Sequence, residues 1–231
     1  MTIIAGIIAI VALYYNHRRV SAIEKGNVDT RFNNAVGHLG NENHTVVLGG
    51  IHALHQIAVE NKEYTQVVHN LFCSYLRENS AKLYDDVDFE KTPDKCLVII
   101  QTLIDYLFKP YNHRGCIYKD FASNLSFSTL KNCDFSNTNL TRCNFSNVIL
   151  YSCDFSDTTL TRCLFRDAIL TKCSFWKTVL VRCNFEDTIL TECVFWGATL
   201  IEFNFGLAKS FNCTFENVKL SYCKLPPNQK T

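Results

Sequence analysis

The sequence lacks the features that announce an enzyme. It has no glycine-rich phosphate loop and no nucleophile elbow. Asp85, Asp86 and Asp88 lie close together. They lack the spacing and glycine of an EF-hand loop, so they read as a solvated loop. His52 and His55 lie three apart on one helical face, and His69 falls on the next helix. They read as core or surface histidines rather than zinc ligands. No catalytic, cofactor-binding or metal site is expected. Neither sign of charge is in excess: the net charge is +1, which argues neither for nor against a charged partner. The 231 residues suffice for one or two domains with real cores.

Long apolar runs are scarce too. The one at the start, MTIIAGIIAIVALYY, is short of the ~20 residues of a usual transmembrane helix. Asn16, His17, Arg18 and Arg19 follow it. A secretory signal carries its positive charge before the apolar run, whereas charge after it implies a cytoplasmic remainder. Residues 1–19 are therefore expected to be a membrane anchor, spanning once or marginally. The alternatives are a buried helix or the end of a longer membrane segment, and, for location, the cytoplasm.

What the sequence has in abundance is a repeat. From 123 to 225 it recurs every five residues and, more strictly, every ten: NCDFSNTNLT, RCNFSNVILY, SCDFSDTTLT, RCLFRDAILT, KCSFWKTVLV, RCNFEDTILT, ECVFWGATLI. Phe and Leu alternate from Phe135 to Leu200. Cys133 and its equivalents through Cys193 stand two before each Phe, and small or β-branched residues two before each Leu. Such a period dictates the fold. Five is neither 3.6 nor 3.5, so no helix keeps one face apolar. A corner must recur every five residues, with centre and i−2 side chains inward, which describes a β-solenoid.

The rows closely resemble the pentapeptide repeat family. That resemblance implies a right-handed quadrilateral parallel β-solenoid, with four pentapeptides per coil and coils stacked as parallel strands. Twenty-one centres, from Leu125 to Leu225, would make slightly over five coils, a rod roughly 25 Å long. Phe203 replaces a Cys and Ser210 a Leu, so bulk gained at one inward site offsets bulk lost at another. Pro226 and Pro227 are expected to stop the last coil. Nine of the twelve cysteines take inward positions, where a free thiol is a small apolar filler. They are expected to form a reduced ladder, as in a cytosolic compartment.

Before the repeats the periodicity is helical. Helices are expected over 31–39, ending at Gly40, over 45–59, and over 64–76. A last one starts at Thr92-Pro93 and ends at Phe108, with 79–91 a polar loop. Gly49 and Gly50 inside a helix cost about 1 kcal/mol each, so both are expected to face close packing. The stretch RFNNAVGHLGNENHTVVLGGIHALHQIA with VVHNLFCSYLREN looks like the helical segment preceding the solenoid in bacterial membrane-anchored pentapeptide repeat proteins. TVVLGGIHALHQIA also resembles a HEAT or armadillo-type helix. The chain thus reads as α+β by segments: a membrane anchor at 1–19, a small all-α domain at 20–110 (HEAT/armadillo-like), a linker and imperfect first coil at 111–122, the solenoid at 123–225 and a tail at 226–231.

Residues twenty apart should stack, which turns the sequence into a surface map. Trp176 and Trp196 are expected outward on adjacent coils, as a contact site or under the helical half. Arg142, Arg162 and Arg182 form a column that suits an acidic surface, or is neutralised by Asp167 and Asp187. Ile149, Ile169 and Ile189 form an apolar stripe for the helical domain or a second copy. The expected function is a non-catalytic protein-protein interaction scaffold, held by its anchor at the cytoplasmic side of a bacterial inner membrane. A homodimer is one form it could take. The resemblance also offers a DNA-mimicking protein that binds type II topoisomerases, or a secreted bacterial effector. Mimicry of DNA needs a negative rod. From Cys116 onward there are twelve Lys and Arg against ten Asp and Glu, a net of +2, so neither that mimicry nor nucleic acid binding is expected.

Overall fold

Residues twenty apart pair throughout the second half of the chain, in the computed structural model, which describes residues 2–85, 97–110 and 115–223. β1 (Thr129–Lys131), β3 (Ile149–Tyr151), β5 (Ile169–Thr171), β7 (Ile189–Thr191) and β9 (Lys209–Phe211) form one five-stranded parallel sheet. β2 (Asn139–Thr141), β4 (Thr159–Thr161), β6 (Val179–Val181), β8 (Thr199–Ile201) and β10 (Lys219–Ser221) form a second. The other two sides are held by single parallel bridges, one column running from Asn124 to Asn204 and the other from Asp134 to Thr214. The result is a four-sided parallel β-solenoid of about five turns. From Leu130 on, Leu centres lie on the strand sides and Phe centres on the bridge sides.

The corners explain the five-residue period. The residue two after each centre but Phe205 has positive φ, from Phe127 (62°) to Tyr222 (56°). From Phe145 to Phe205 the turn after each Phe centre closes with a hydrogen bond, as from the Val148 N–H to the Phe145 carbonyl at 3.3 Å. Asn and Asp tolerate the left-handed region best after glycine, and they hold eight of these eighteen non-glycine corners. The Asn or Asp just before a Phe has a second task. Its side chain accepts the N–H two residues on, as Asp134 does from Ser136 and Asn144 from Ser146.

Inside, Phe135, Phe155, Phe175, Phe195 and Phe215 stack in parallel at 4.6–5.0 Å. Phe145, Phe165 and Phe185 make a second stack that meets the first edge to face. Thr158 and Thr178 reconcile hydroxyls with this core by donating to the carbonyls of Phe135 and Phe155, one coil earlier. Cys153 and Cys163 direct their thiols to the Leu130 and Leu140 carbonyls in the same way, at 3.3 Å. The eleven cysteines among the described residues are all free. The solenoid changes locally at Phe203, which packs on Phe185 and Phe205. There Gly206, not the next residue, takes the positive φ of 43°, and an added Cβ would lie 2.8 Å from Glu186 Cγ. Ser210 is half-buried, in register with Leu190. The expected stop at Pro226 and Pro227 lies outside the described residues.

Four helices precede the coils: α1 (Thr2–Leu39), α2 (His44–Glu60), α3 (Thr65–Asp85) and α4 (Val98–Phe108). The chain divides into two compact units, 1–61 and 62–231. α3 and α4 belong to the solenoid unit. Asn79–Asp85, expected as loop, continues α3. Leu76, Ser80, Leu83 and Tyr84 are buried at helical spacing, and that packing overrides the polar residues between them. The expected start of α4 at Thr92 lies outside the described residues; its end at Phe108 agrees.

In the solenoid unit, α3 and α4 stand where a preceding coil would stand. Ser80 Oγ accepts the Thr129 N–H, and Tyr84 OH accepts the Lys131 N–H and donates to the Lys131 carbonyl. Gln101 accepts the Asp134 N–H at 2.9 Å and donates to its carbonyl at 3.0 Å. Arg77 donates to the Asn124 carbonyl. In later coils the same backbone groups pair with the coil before, as the Asp154 N–H does with Cys133. Side chains thus close the edge that a solenoid must cap.

In the other unit, α1 and α2 form a hairpin. Arg31 pairs with Glu60 at 3.2 Å, and Asn43 caps α2 by accepting the Thr45 N–H. α1 runs unbroken through the expected anchor boundary at 19. Among the described residues no helix is long and apolar enough to cross a membrane. Asn16–Arg19 end the apolar run within α1. The two glycines of α2 also part company. A Cβ on Gly50 would lie 2.8 Å from both the Ala35 carbonyl oxygen and His38 Cβ, whereas one on Gly49 would meet nothing within 4 Å. Gly50 alone is explained by close packing. In urea melts, Gly49→Ala is expected to stabilise this unit by about 0.5–1 kcal/mol. Gly50→Ala is expected to destabilise it by about 1–3 kcal/mol. Equal gains from both would show that the helices do not approach so closely.

Candidate interaction surface

The repeat places the three expected columns on different parts of the solenoid. Trp176 and Trp196 each follow an inward Phe on the bridge side that begins at Asp134. Their rings stack at 6.0 Å with an interplanar angle of 11°. Lys177, on the adjoining corner, sets its ammonium 3.9 Å above the Trp176 ring. Both indoles are half-buried, so they are neither free-standing nor covered. Val194, exposed beside them, occupies a position where most repeats carry Asn, Asp or Ser. Sequence reasoning passed over it, although the rows show the departure.

The arginine column stands on corners that follow β2, β4 and β6, all with φ near 55°. Arg142 donates to the Asp120 carbonyl at 3.0 Å. Arg182 makes a bidentate pair with Glu202 at 2.8 and 3.1 Å. The Arg182 hydrogen bond draws the Glu202 carboxyl below its usual range. Asp167 and Asp187, expected to neutralise the column, lie near Arg166 instead, at 3.5 and 3.9 Å. Arg162 is the one cation of the column with no such pairing among the described residues.

Ile149, Ile169 and Ile189 lie on the sheet of β1 to β9, each about two-fifths exposed. Tyr151 flanks them, with Lys172 above its ring at 5.9 Å. The three columns therefore do not converge on one patch.

One constellation was missed. His69 Nε2 lies 2.9 Å from Ser123 Oγ and 3.7 Å from Cys73 Sγ, and its Nδ1 lies 3.2 Å from Asn70 Oδ1. A serine, a histidine and an amide in this order are the residue types of a nucleophile and its base. Here they are sealed: Ser123, His69 and Cys73 are 3%, 1% and 2% exposed. Burial holds the imidazole below its ordinary value and pushes the Cys73 thiol up to about 11, so the thiol stays protonated. The cluster bonds α3 to the start of the solenoid. The signal in the sequence was only the helical face shared by His69 and Cys73. Cys193 is pushed up to about 12, first by its hydrogen bond to Cys173 and then by burial. Among the described residues no group of three or more His, Cys, Asp or Glu could hold a metal ion.

Comparison with known proteins agrees with the repeat. The family described as pentapeptide repeats matches residues 122–157, 149–187 and 168–206, in eight copies. No curated protein matches the chain. Among solved structures, it is similar to HetL, a pentapeptide repeat protein involved in heterocyst differentiation regulation in the cyanobacterium Nostoc. That likeness has 15% identity, 43% of this chain, 52% of that one and a TM-score of 0.19. A pentapeptide repeat protein of the Arabidopsis thaliana thylakoid lumen is similar at 22% identity, over 35% of this chain and 56% of that one, with a TM-score of 0.18. QnrB1, a plasmid-mediated fluoroquinolone resistance protein, is similar at 15% identity, over 44% and 71%, with a TM-score of 0.22. The chain thus spans little more than half of the first two.

Proposed function

The chain is a pentapeptide repeat protein, and we propose that it is a non-catalytic scaffold whose solenoid presents a protein-binding face centred on Trp176 and Trp196. The observation that carries this is the half-exposed indole stack on a rigid side of the coil. Large rings held in place lose little entropy on binding, and tryptophan is over-represented among residues that dominate interfaces. Neighbouring coils fix the ring positions, so the partner meets a formed surface. Arg162 and the isoleucine stripe offer further contacts on other parts of the solenoid. The same proposal places the chain at the cytoplasmic side of a bacterial inner membrane, through the first turns of α1.

The test is affinity capture from the source cell with the full chain and with a Trp176→Ser, Trp196→Ser double variant. The variant is expected to bind a captured partner at least thirtyfold more weakly, a loss of about 2 kcal/mol or more. Its own stability should fall by about 1 kcal/mol, because the rings stack on each other. Undiminished capture by the variant would remove the indole face from the proposal.

A further inference from the structure

α1 is far longer than its partner within the hairpin. It has 38 residues against 17 in α2, about 57 Å against 25 Å. The pairing runs through Arg31–Glu60 and the approach of Ala35 to Gly50. The first described side chains of α1 are exposed. Leu13, Tyr14 and Tyr15 are 69%, 59% and 65% exposed, and Val20 and Ile23 are more than half exposed. An unsupported helix with such a surface is marginal in water.

The order of residue types along α1 says what covers it. The sequence from Ile3 to Leu13 holds no charged or polar residue. The first charges that follow are both positive, Arg18 and Arg19, which favours an anionic lipid surface over a second copy of the same basic segment. Two tyrosines follow, Tyr14 and Tyr15, packed edge to face at 5.9 Å. Arg18, with its guanidinium 5.8 Å from the Tyr14 ring, and Arg19 come next. The first acidic residue is Glu24. Apolar body, aromatic pair and basic pair, in that order, match hydrocarbon, interface and phosphate.

We infer that α1 seats on an anionic lipid bilayer surface, with Tyr14 and Tyr15 at the interface and Arg18 and Arg19 on lipid phosphates. The inference rests on the membrane location proposed above and supplies its chemistry. It does not involve a span, and it is independent of the indole face.

Flotation of the purified full chain with vesicles tests it, using phosphatidylcholine alone and phosphatidylcholine with 30% phosphatidylglycerol. The chain is expected to float with the anionic vesicles and to lose most of that binding at high salt. An Arg18→Glu, Arg19→Glu variant should bind about thirtyfold more weakly. These positions are solvent-exposed, and circular dichroism checks that the variant stays folded. Flotation with neither vesicle overturns the inference, as does a salt-independent dimer that ignores lipid. Equal flotation with both overturns the phosphate contact. Partner capture judges the scaffold separately, so either reading can fail without the other.

Discussion

Replacing Phe165 with alanine is expected to lower the unfolding free energy of the solenoid unit by about 3–5 kcal/mol. Phe165 is fully buried near the middle of its stack. Its ring lies 4.8 Å from Phe145 and 4.4 Å from Phe185, and meets Phe155 and Phe175 edge-on. The cavity cannot close, because the coils on either side are held apart by backbone bonds such as Phe165 N–H to the Asn184 carbonyl at 2.7 Å. Only small side-chain shifts could relieve it, so the cost falls in the upper part of the usual range. Cys163→Ala, two residues away, removes one sulfur and is expected to cost about 1 kcal/mol. Urea titration of both variants gives the comparison. A Phe165→Ala loss no larger than that of Cys163→Ala would mean that the interior adjusts freely, against the rigidity on which a preformed binding face depends.

The solenoid was legible in the sequence because its period is set by short-range chemistry repeated many times. Each five-residue step carries its own evidence, such as Asn144 and Phe145 with Ser146, and errors at Phe203 or Ser210 cannot shift the frame. The surface columns were legible for the same reason: a register of twenty stacks Trp176 on Trp196 and Arg182 under Glu202 without further information. What the period does not encode is which neighbour satisfies a charge. Asp167 and Asp187 turn toward Arg166, a choice made by side-chain reach around one corner. The helical half was less legible. Its contacts are made once, so nothing averages out a misleading stretch. The polar residues of 79–85 pointed to a loop, while Leu83 and Tyr84 bury themselves against tertiary neighbours. The division at Asn61, and the attachment of α3 and α4 to the coils, leave no periodic trace.

That attachment predicts the second large effect. Tyr84→Phe together with Gln101→Leu is expected to destabilise the solenoid unit by about 3 kcal/mol and to make it self-associate. Phenylalanine keeps the Tyr84 ring, and with it the contact of the Lys131 ammonium at 5.1 Å. What is lost is the hydroxyl that serves the Lys131 N–H and carbonyl. Leucine likewise fills the space of Gln101 but leaves the Asp134 N–H and carbonyl without it. Three backbone groups, the Lys131 N–H and the Asp134 N–H and carbonyl, would then lose these partners, while the Lys131 carbonyl keeps the Cys133 thiol at 3.4 Å. Each part-buried group left unpaired costs about 1 kcal/mol. Lys109 would still hold the Asp134 carboxylate at 2.7 Å, so α4 need not detach. Sedimentation at several protein concentrations, alongside urea titration, separates the two consequences. A variant that is less stable yet strictly monomeric would show that the helices shield the edge by bulk alone. A variant unchanged in both would show that these side chains do not substitute for a coil, and the solenoid would then be self-sufficient at its first turn.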